Sequence, residues 1–391
     1  MIIINSSVIT ATEILNDFAV VIDGERIEKL IPMSEVNTGD YEKVIDAKGG
    51  YVTAGFIDIH SDYIEGIIAP RPTTIMDFNI GIKESERILS SHGITTMFHS
   101  LSIYKEDLFG HKPVRQPENV DKLIHAIHRT HTEKHLIRHR MHARFELDAV
   151  EMLPAIKEHI QQDRIHLLSF MDHTPGQGQY RDIENYRHTM KGYRDLSDDE
   201  INAQIAVKKK MSRLSVEEME ELSELARAKG VAVASHDDDA TEKIDFNETL
   251  KTTISEFPIT MEVAKYADGK GMSTLAGAPN IMLGGSHSGN LNAKDAIMEG
   301  CISILCSDYY PAAMLHSVFK LHREAEYPLV DGFNLITLNP ARAVNMDDEI
   351  GSIEPGKKAD LNIIRLFDDY PTITECIVNG KVVSRYHYRI D

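Results

Sequence analysis

The chain has 391 residues, a hydrophobic fraction of 42% and a formal net charge of −19 at pH 7. This composition excludes a disordered chain, because it can supply a large core, and the charge disfavours nucleic acid and anionic membranes as partners. Three cysteines, Cys301, Cys306 and Cys376, are too few and too scattered for a disulfide framework or a Cys-x-x-Cys metal motif.

Both ends of the chain carry the patterns of short strands. Residues 1–52 contain a hairpin signal at Asp23-Gly24, and residues 350–391 contain another at Asn379-Gly380. Glycine after Asp or Asn suits the two-residue turns that join antiparallel strands. Two β-rich ends around a different middle predict one small β-sandwich domain that is built from both termini.

Residues 53–349 alternate short apolar strands with helical patterns, for example "GITTMFHSLS" before "VDKLIHAIHRTH". Repeated strand–helix units predict a parallel sheet, and about eight of them predict a closed (β/α)8 barrel of the TIM type. A polar, helix-prone insertion at about residues 177–212 is long for a barrel loop. It is either a lid that contacts substrate or a surface excursion.

Metal-binding residue types recur where the predicted barrel strands end, which is where barrel enzymes place their chemistry. One such residue would more simply be hydrogen-bonded, but six of them at one register are hard to explain as packing. They predict a site for one or two divalent metal ions, with zinc as the expected ion. The six residues are His60, Asp62, Glu146, His173, His236 and Asp308. Asp237, Asp238 and Asp239 are interpreted as outer partners of that site or as a helix N-cap.

The stretch "HRMHARFEL" places His142, Arg144 and Glu146 on one face of a strand, because alternate residues share a face. Such a face is too polar for a barrel core, and it predicts a metal ligand with substrate-binding neighbours. The alternative is a buried salt bridge between Arg144 and Glu146. Which of His142, His173 and His287 binds metal and which binds substrate stays open.

Two further segments have the character of anion-binding sites. Arg71 lies between two prolines in an extended segment, where a guanidinium suits bidentate contact with phosphate. The loop "GGSHSGN" combines glycines with donor side chains, although a plain turn is the simpler alternative. Tyr309 either bounds a sugar or packs at the rim. The loop residues predicted to bind substrate are Ser286, His287, Ser288 and Asn290.

A histidine-rich tract precedes the strand of Glu146. Its members His125, His128, His131 and His135 are predicted to lie on an exposed helix and the loop after it. We interpret them as solvated surface rather than as a metal site, because the barrel mouth already supplies a full set of ligands.

Together these segments resemble the amidohydrolase superfamily, and within it the members that act in phosphonate metabolism. The resemblance covers essentially the whole chain. Its carriers include "GFIDIHSDYIEGIIAPRP", "SFMDHTPGQ", "ASHDDDAT", "SEFPIT", "GGSHSGN" and "GSIEPGKKADLNII". The chain departs from the usual superfamily pattern at Asp62, where most members have a second histidine. The resemblance also implies that Glu146 bridges two metals in place of a carboxylated lysine, and that Asp308 accepts or relays a proton.

The resemblance implies a metal-dependent diphosphatase of the carbon–phosphorus lyase pathway. It would cleave a ribose 1-alkylphosphonate 5-triphosphate to the 5-phosphate and pyrophosphate. The alternatives are an amidohydrolase acting on a cyclic amide or N-acyl compound, a non-catalytic amidohydrolase-like scaffold, and the same chemistry on nucleoside triphosphates. Without a signal-peptide pattern or a long apolar run, we expect a cytoplasmic protein. We expect a phosphorylated sugar substrate and a homo-oligomer, with no nucleic acid or membrane partner.

Overall fold

A computed structural model describes residues 1–104, 113–180, 183–193, 196–208, 210–285 and 290–388. Its strands form two eight-stranded sheets, one from both ends of the chain and one from the middle. The first five strands belong to the terminal sheet: β1 (Ile2–Ile9), β2 (Ile14–Asp23), β3 (Arg26–Pro32), β4 (Val44–Asp46) and β5 (Tyr51–Ala54).

The second sheet is a barrel of parallel strands that follow one another in chain order. Backbone hydrogen bonds between Asp308 N and His60 O and between Asp62 N and Asp308 O join its first and last strands. Apolar residues such as Ile57, Phe98 and Leu275 fill its interior. The strands are β6 (Phe56–Ser61), β7 (Ile94–Ile103), β8 (Arg138–Glu146), β9 (Leu167–Met171), β10 (Ala232–His236), β11 (Ile254–Glu256), β12 (Ser273–Gly277) and β13 (Ile304–Cys306).

Helices cover the outside of the barrel and pack on it through two large apolar clusters. None of the helices in the described part of the chain is long and apolar enough to span a membrane. They are α1 (Tyr63–Ile68), α2 (Phe78–Ser91), α3 (Pro117–Arg129), α4 (Leu153–Gln161), α5 (Ile183–Tyr193), α6 (Asp198–Lys208), α7 (Val216–Ala228), α8 (Thr241–Thr249), α9 (Met261–Gly269), α10 (Ala278–Leu283), α11 (Ala293–Met298), α12 (Ala313–Ala325), α13 (Leu329–Asn334) and α14 (Leu338–Ala343). Short 3-10 turns lie at Met33–Glu35, Thr38–Asp40, Pro113–Arg115, Val150–Met152 and Gly178–Tyr180.

The chain returns to the terminal sheet through β14 (Leu361–Phe367), β15 (Tyr370–Val378) and β16 (Lys381–Arg385). β14 pairs antiparallel with β5, so the two ends of the chain share one sheet. The β15–β16 turn packs on the β2–β3 turn so closely that a Cβ on Gly380 would collide with the Gly24 carbonyl. The sheet therefore folds over on itself, and the predicted barrel with a β-sandwich from both termini is confirmed.

Both hairpin turns predicted from the sequence are confirmed. Gly24 and Gly380 have positive φ angles of 56° and 69°, and Asn379 has a φ of 48°. Arg138, at the start of β8, reaches out of the barrel and pairs with Asp360 and Asn379 beside the second turn. That buried contact ties the barrel to the terminal sheet.

Candidate active site

Polar side chains converge at the mouth of the barrel, where the parallel strands end. His60 lies near the end of β6, and Glu146, His236 and Glu256 are the last residues of β8, β10 and β11. All four are buried, with relative exposures between 0% and 6%. The imidazole centroids of His60 and His236 are 5.3 Å apart, so separate strands deliver their side chains to one small volume.

The backbone turns sharply where several of these strands end. Asp237, Phe257 and Asp308 have φ angles of 53°, 55° and 58°. Left-handed conformations are uncommon for residues other than glycine, and they cluster at functional sites because the surrounding structure must hold them in place. Here they direct the chain out of the barrel wall directly after His236 and Glu256.

Two overlapping groups at the mouth could each hold a metal ion. They are His60 with His236 and Glu256, and His173 with His236 and Asp237; within each group the ligand atoms lie within 4.8 Å of one another. Glu256 Oε2 is buried without a hydrogen-bond partner in the part of the chain that the structure describes, while His236 Nδ1 and Asp237 Oδ2 have only each other, 2.9 Å apart, among the described residues. Buried polar atoms are rarely left unpaired, so this donor set fits a bound cation.

The Glu146 carboxylate contacts the His173 imidazole at the mouth, between Oε1 and Nδ1. Burial would raise the pKa of Glu146, but His173 and Lys208 hold it below its ordinary value. Lys208 comes from α6, inside the segment predicted as a lid or surface excursion, and its Nζ lies 3.5 Å from the His173 carbonyl oxygen. This segment therefore contacts the residues of the mouth.

His142 lies deeper in the barrel and is occupied by hydrogen bonds. Its Nδ1 is 3.0 Å from Ser100 Oγ, and its Nε2 is 2.6 Å from Ser169 Oγ. Burial lowers the pKa of His142 to about 3, so the imidazole is neutral. Both ring nitrogens are therefore engaged with side chains of the neighbouring strands β7 and β9.

Asp308 and Asp62 lie side by side where the first and last barrel strands meet. Burial, together with the nearby Asp62 charge, raises the pKa of Asp308 to about 7. Asp308 can therefore take up or release a proton near neutral pH. The Asp62 carboxylate is 3.3 Å from Arg115 Nη2, and Arg115 also binds Glu65 at 2.9 Å.

Arg144 places a positive charge in the mouth. Its Nη2 is 3.3 Å from His236 Nε2, and its Nε is buried without a hydrogen-bond partner within the described residues. Glu146 contacts His173 instead, so the alternative of a salt bridge between Arg144 and Glu146 is wrong. A half-buried guanidinium without a carboxylate partner among the described side chains suits an anionic ligand.

The other predicted substrate residues lie further out. Arg71 is exposed in the connection between α1 and α2, Asn290 is half-buried, and Tyr309 is 44% exposed. Ser286, His287 and Ser288 lie outside the described residues, so their predicted role in binding phosphate stays a prediction.

Sequence reasoning missed three residues of the mouth. Glu256 is the third residue of a three-residue strand, too short for alternation to mark its face, although it occupies the same strand-end register as His236. Arg115 and Lys208 reach the site from outside the strands, and no local pattern marks them.

Asp237 Oδ2 lies 2.9 Å from His236 Nδ1, as an outer partner would. The helix N-cap alternative for the aspartates is wrong, because α8 has Ala240 at its N-cap.

Known proteins share both the sequence and the architecture. A model described as "Amidohydrolase family" matches residues 145–383, and one described as "NagA composite domain" matches residues 2–43. Alpha-D-ribose 1-methylphosphonate 5-triphosphate diphosphatase from Escherichia coli (strain K12) is 34% identical over 348 residues, which cover 87% of this chain and 90% of that protein. N-acetylglucosamine-6-phosphate deacetylase from Haemophilus influenzae is 24% identical over 420 residues, which cover 97% and 98%. The crystal structure of N-acetylglucosamine-6-phosphate deacetylase from Pasteurella multocida has the same fold, with a TM-score of 0.63 at 15% identity over 97% of this chain and 98% of that one.

Proposed function

The chain belongs to the amidohydrolase family, and from this premise we propose that it is a metal-dependent diphosphatase of phosphonate breakdown. Its substrate would be a ribose 1-alkylphosphonate 5-triphosphate, and its products the 5-phosphate and pyrophosphate. The similarity to the Escherichia coli diphosphatase, which extends over 87% of this chain, is the observation that carries the proposal. The positive charge that Arg144 places beside His236 supports it, because a polyphosphate needs cations at the mouth of a chain whose net charge is −19.

Within this proposal, His60, Glu146, His173 and His236 are the predicted ligands whose side chains converge, and Asp237 and Glu256 supply further carboxylates beside them. Asp62 and Asp308 stay predicted ligands at the same mouth. A divalent ion held by these residues would supply a more acidic bound water and would neutralise charge on phosphoryl oxygens. Zinc is the ion we propose, because histidine and carboxylate ligands suit it.

The protein's own side chains have separate tasks. Glu256 accepts a hydrogen bond from His60 Nδ1 at 2.9 Å and so fixes the orientation of that imidazole. Arg144 binds and positions phosphate oxygens, since positioning and charge neutralisation supply most of the catalysis of phosphoryl transfer. Asp308, which lies beside Asp62 at the mouth, would take the proton that the attacking water loses.

Phosphorus NMR with the ribose methylphosphonate triphosphate and zinc-loaded protein tests the proposal. Release of pyrophosphate supports it. Release of orthophosphate alone contradicts it, and so does an unchanged spectrum from a preparation that hydrolyses an amide.

A second candidate is hydrolysis of an N-acyl sugar phosphate. It rests on the "NagA composite domain" match at residues 2–43 and on the deacetylase relatives, which cover 97% of the chain. The same preparation, given N-acetylglucosamine 6-phosphate, would then release acetate. A preparation that turns over neither substrate would favour the non-catalytic scaffold.

A further inference from the structure

A second group of metal-binding side chains lies on the outer face of the barrel. It consists of Glu86 on α2, His135 in the connection before β8, and His139 near the start of β8. Their side chains are between 0% and 6% exposed. His139 and Glu146 occupy opposite ends of β8, roughly 23 Å apart along an extended strand. This group, the α2–β8 cluster, is therefore separate from the mouth.

The ligand atoms of the α2–β8 cluster surround one point. Glu86 Oε2 lies 3.0 Å from His135 Nδ1 and 3.1 Å from His139 Nε2. Zinc bonds of about 2.0–2.1 Å in a tetrahedron place neighbouring ligand atoms roughly 3.3 Å apart. A shift of a few tenths of an ångström would open the cluster around an ion. We propose that Glu86, His135 and His139 form a second, structural site for a divalent cation of the zinc class.

The surroundings of both imidazoles support metal binding. A metal-bound histidine donates its other N–H to a nearby acceptor. For His135 the nearest acceptor is Glu133 Oε2, which lies 3.5 Å from its Nε2 but does not hydrogen-bond to it within the described residues. For His139 it is His99 Nε2, 2.8 Å from its Nδ1. In this arrangement His99 carries its own proton on Nδ1, which has no hydrogen-bond partner among the residues described.

The bound ion would join α2 to the start of β8. Glu86 Oε2 already accepts a hydrogen bond from Leu136 N at 2.9 Å, so the carboxylate holds the loop before the strand. The sequence-based interpretation of His135 as solvated surface is wrong, because Glu86 and Glu133 enclose its ring. The cluster lies at the opposite end of β8 from Glu146, so its zinc content can be measured independently of the proposed activity.

A neighbouring group provides an internal control. Asp121, His125 and His159, from α3 and α4, also bring three ligand atoms within 4.8 Å. However, the side chains of Asp121 and His125 are 53% and 40% exposed, so water can satisfy their polar atoms. Nothing in that group requires an ion, and we expect it to stay empty at low micromolar zinc.

The experiment counts zinc per chain in the full-length protein after metal stripping, reloading with excess zinc and gel filtration. The double variant H60A/H236A removes the mouth site and should retain close to one equivalent. Adding E86Q to it should leave less than about a tenth of an equivalent, whereas adding D121A/H125A should change nothing. Loss of all zinc in H60A/H236A, or retention after E86Q, would overturn the proposal.

A second measurement covers the case in which these variants fail to fold. The single variant H135N alters only the edge of the α2–β8 cluster. Its zinc content should fall one equivalent below that of the unaltered protein. When the variant is loaded with cobalt instead of zinc, its visible absorption should lack the part that comes from cobalt in the α2–β8 cluster. Equal zinc contents and equal spectra would count against the site, whatever the activity of either preparation.

Discussion

Removing the Glu256 carboxylate should weaken metal binding at the mouth without unfolding the chain. His60 is 2% exposed, and its Nδ1 donates to Glu256 Oε1 at 2.9 Å. The rings of His142, His236 and Phe257 lie 4.9–5.3 Å from the His60 ring, so its plane is set by packing and this hydrogen bond together. In E256A the buried N–H loses its acceptor, and the imidazole loses the contact that fixes its tautomer.

The expected loss of metal affinity in E256A follows from the environment of the hydrogen bond between His60 and Glu256. Losing the outer partner of a metal-bound histidine costs about 10–100-fold in metal affinity, or about 1.4–2.8 kcal/mol. Leaving a buried donor unpaired costs about 1–3 kcal/mol, which is the same range. E256Q keeps an oxygen that can accept from His60, so we expect a smaller loss than in E256A.

Competition with a chromophoric zinc chelator measures the affinity, and circular dichroism checks the fold. E84A is the matched control, because Glu84 is 52% exposed and pairs with exposed Arg87. An E256A affinity within about twofold of the unaltered protein would refute the orienting role. Equal losses in E256Q and E256A would identify Glu256 as a ligand instead.

Three further predictions concern the proton carrier, the link between domains and pH. D308N should keep its zinc while turnover falls by about 10²-fold or more; turnover close to that of the unaltered protein would exclude Asp308 as the proton carrier. R138A should lower the free energy of unfolding in urea by about 3–5 kcal/mol, because it leaves buried Asp360 without its cation. R26A removes an exposed pair and should lower that free energy by about 0–1 kcal/mol. Equal losses in the two variants would contradict this prediction. Burial lowers the pKa of His166 to about 2, so the folded chain keeps it neutral while the unfolded chain takes up a proton below its ordinary pKa. Protonation of unfolded His166 should therefore lower the free energy of unfolding by about 2 kcal/mol between pH 6.5 and pH 5. In H166Q this contribution should disappear. The same pH dependence in H166Q and in the unaltered protein would contradict the prediction.

Local patterns were sufficient to predict much of this protein. The Asn379-Gly380 turn could be predicted because positive φ angles at two adjacent positions are a property of those residues themselves. The convergence of His60 and His236 could be predicted because parallel strands of one barrel end on one face. Both inferences need only neighbouring residues and a general rule of the fold.

Other features depended on contacts between distant parts of the chain. Burial of the His135 ring depends on Glu86, which approaches it only when α2 packs against β8. Lys208 reaches His173 from a helix whose position no strand pattern specifies. Glu256 lies in a strand too short to show a period, and its partner His60 is 196 residues away in sequence. The sequence alone determined the secondary structure, the turns and the kinds of ligand, because these follow from local chemistry. Only the tertiary structure decided which carboxylate meets which imidazole, because closure of the barrel and packing of the helices bring those atoms within hydrogen-bond distance.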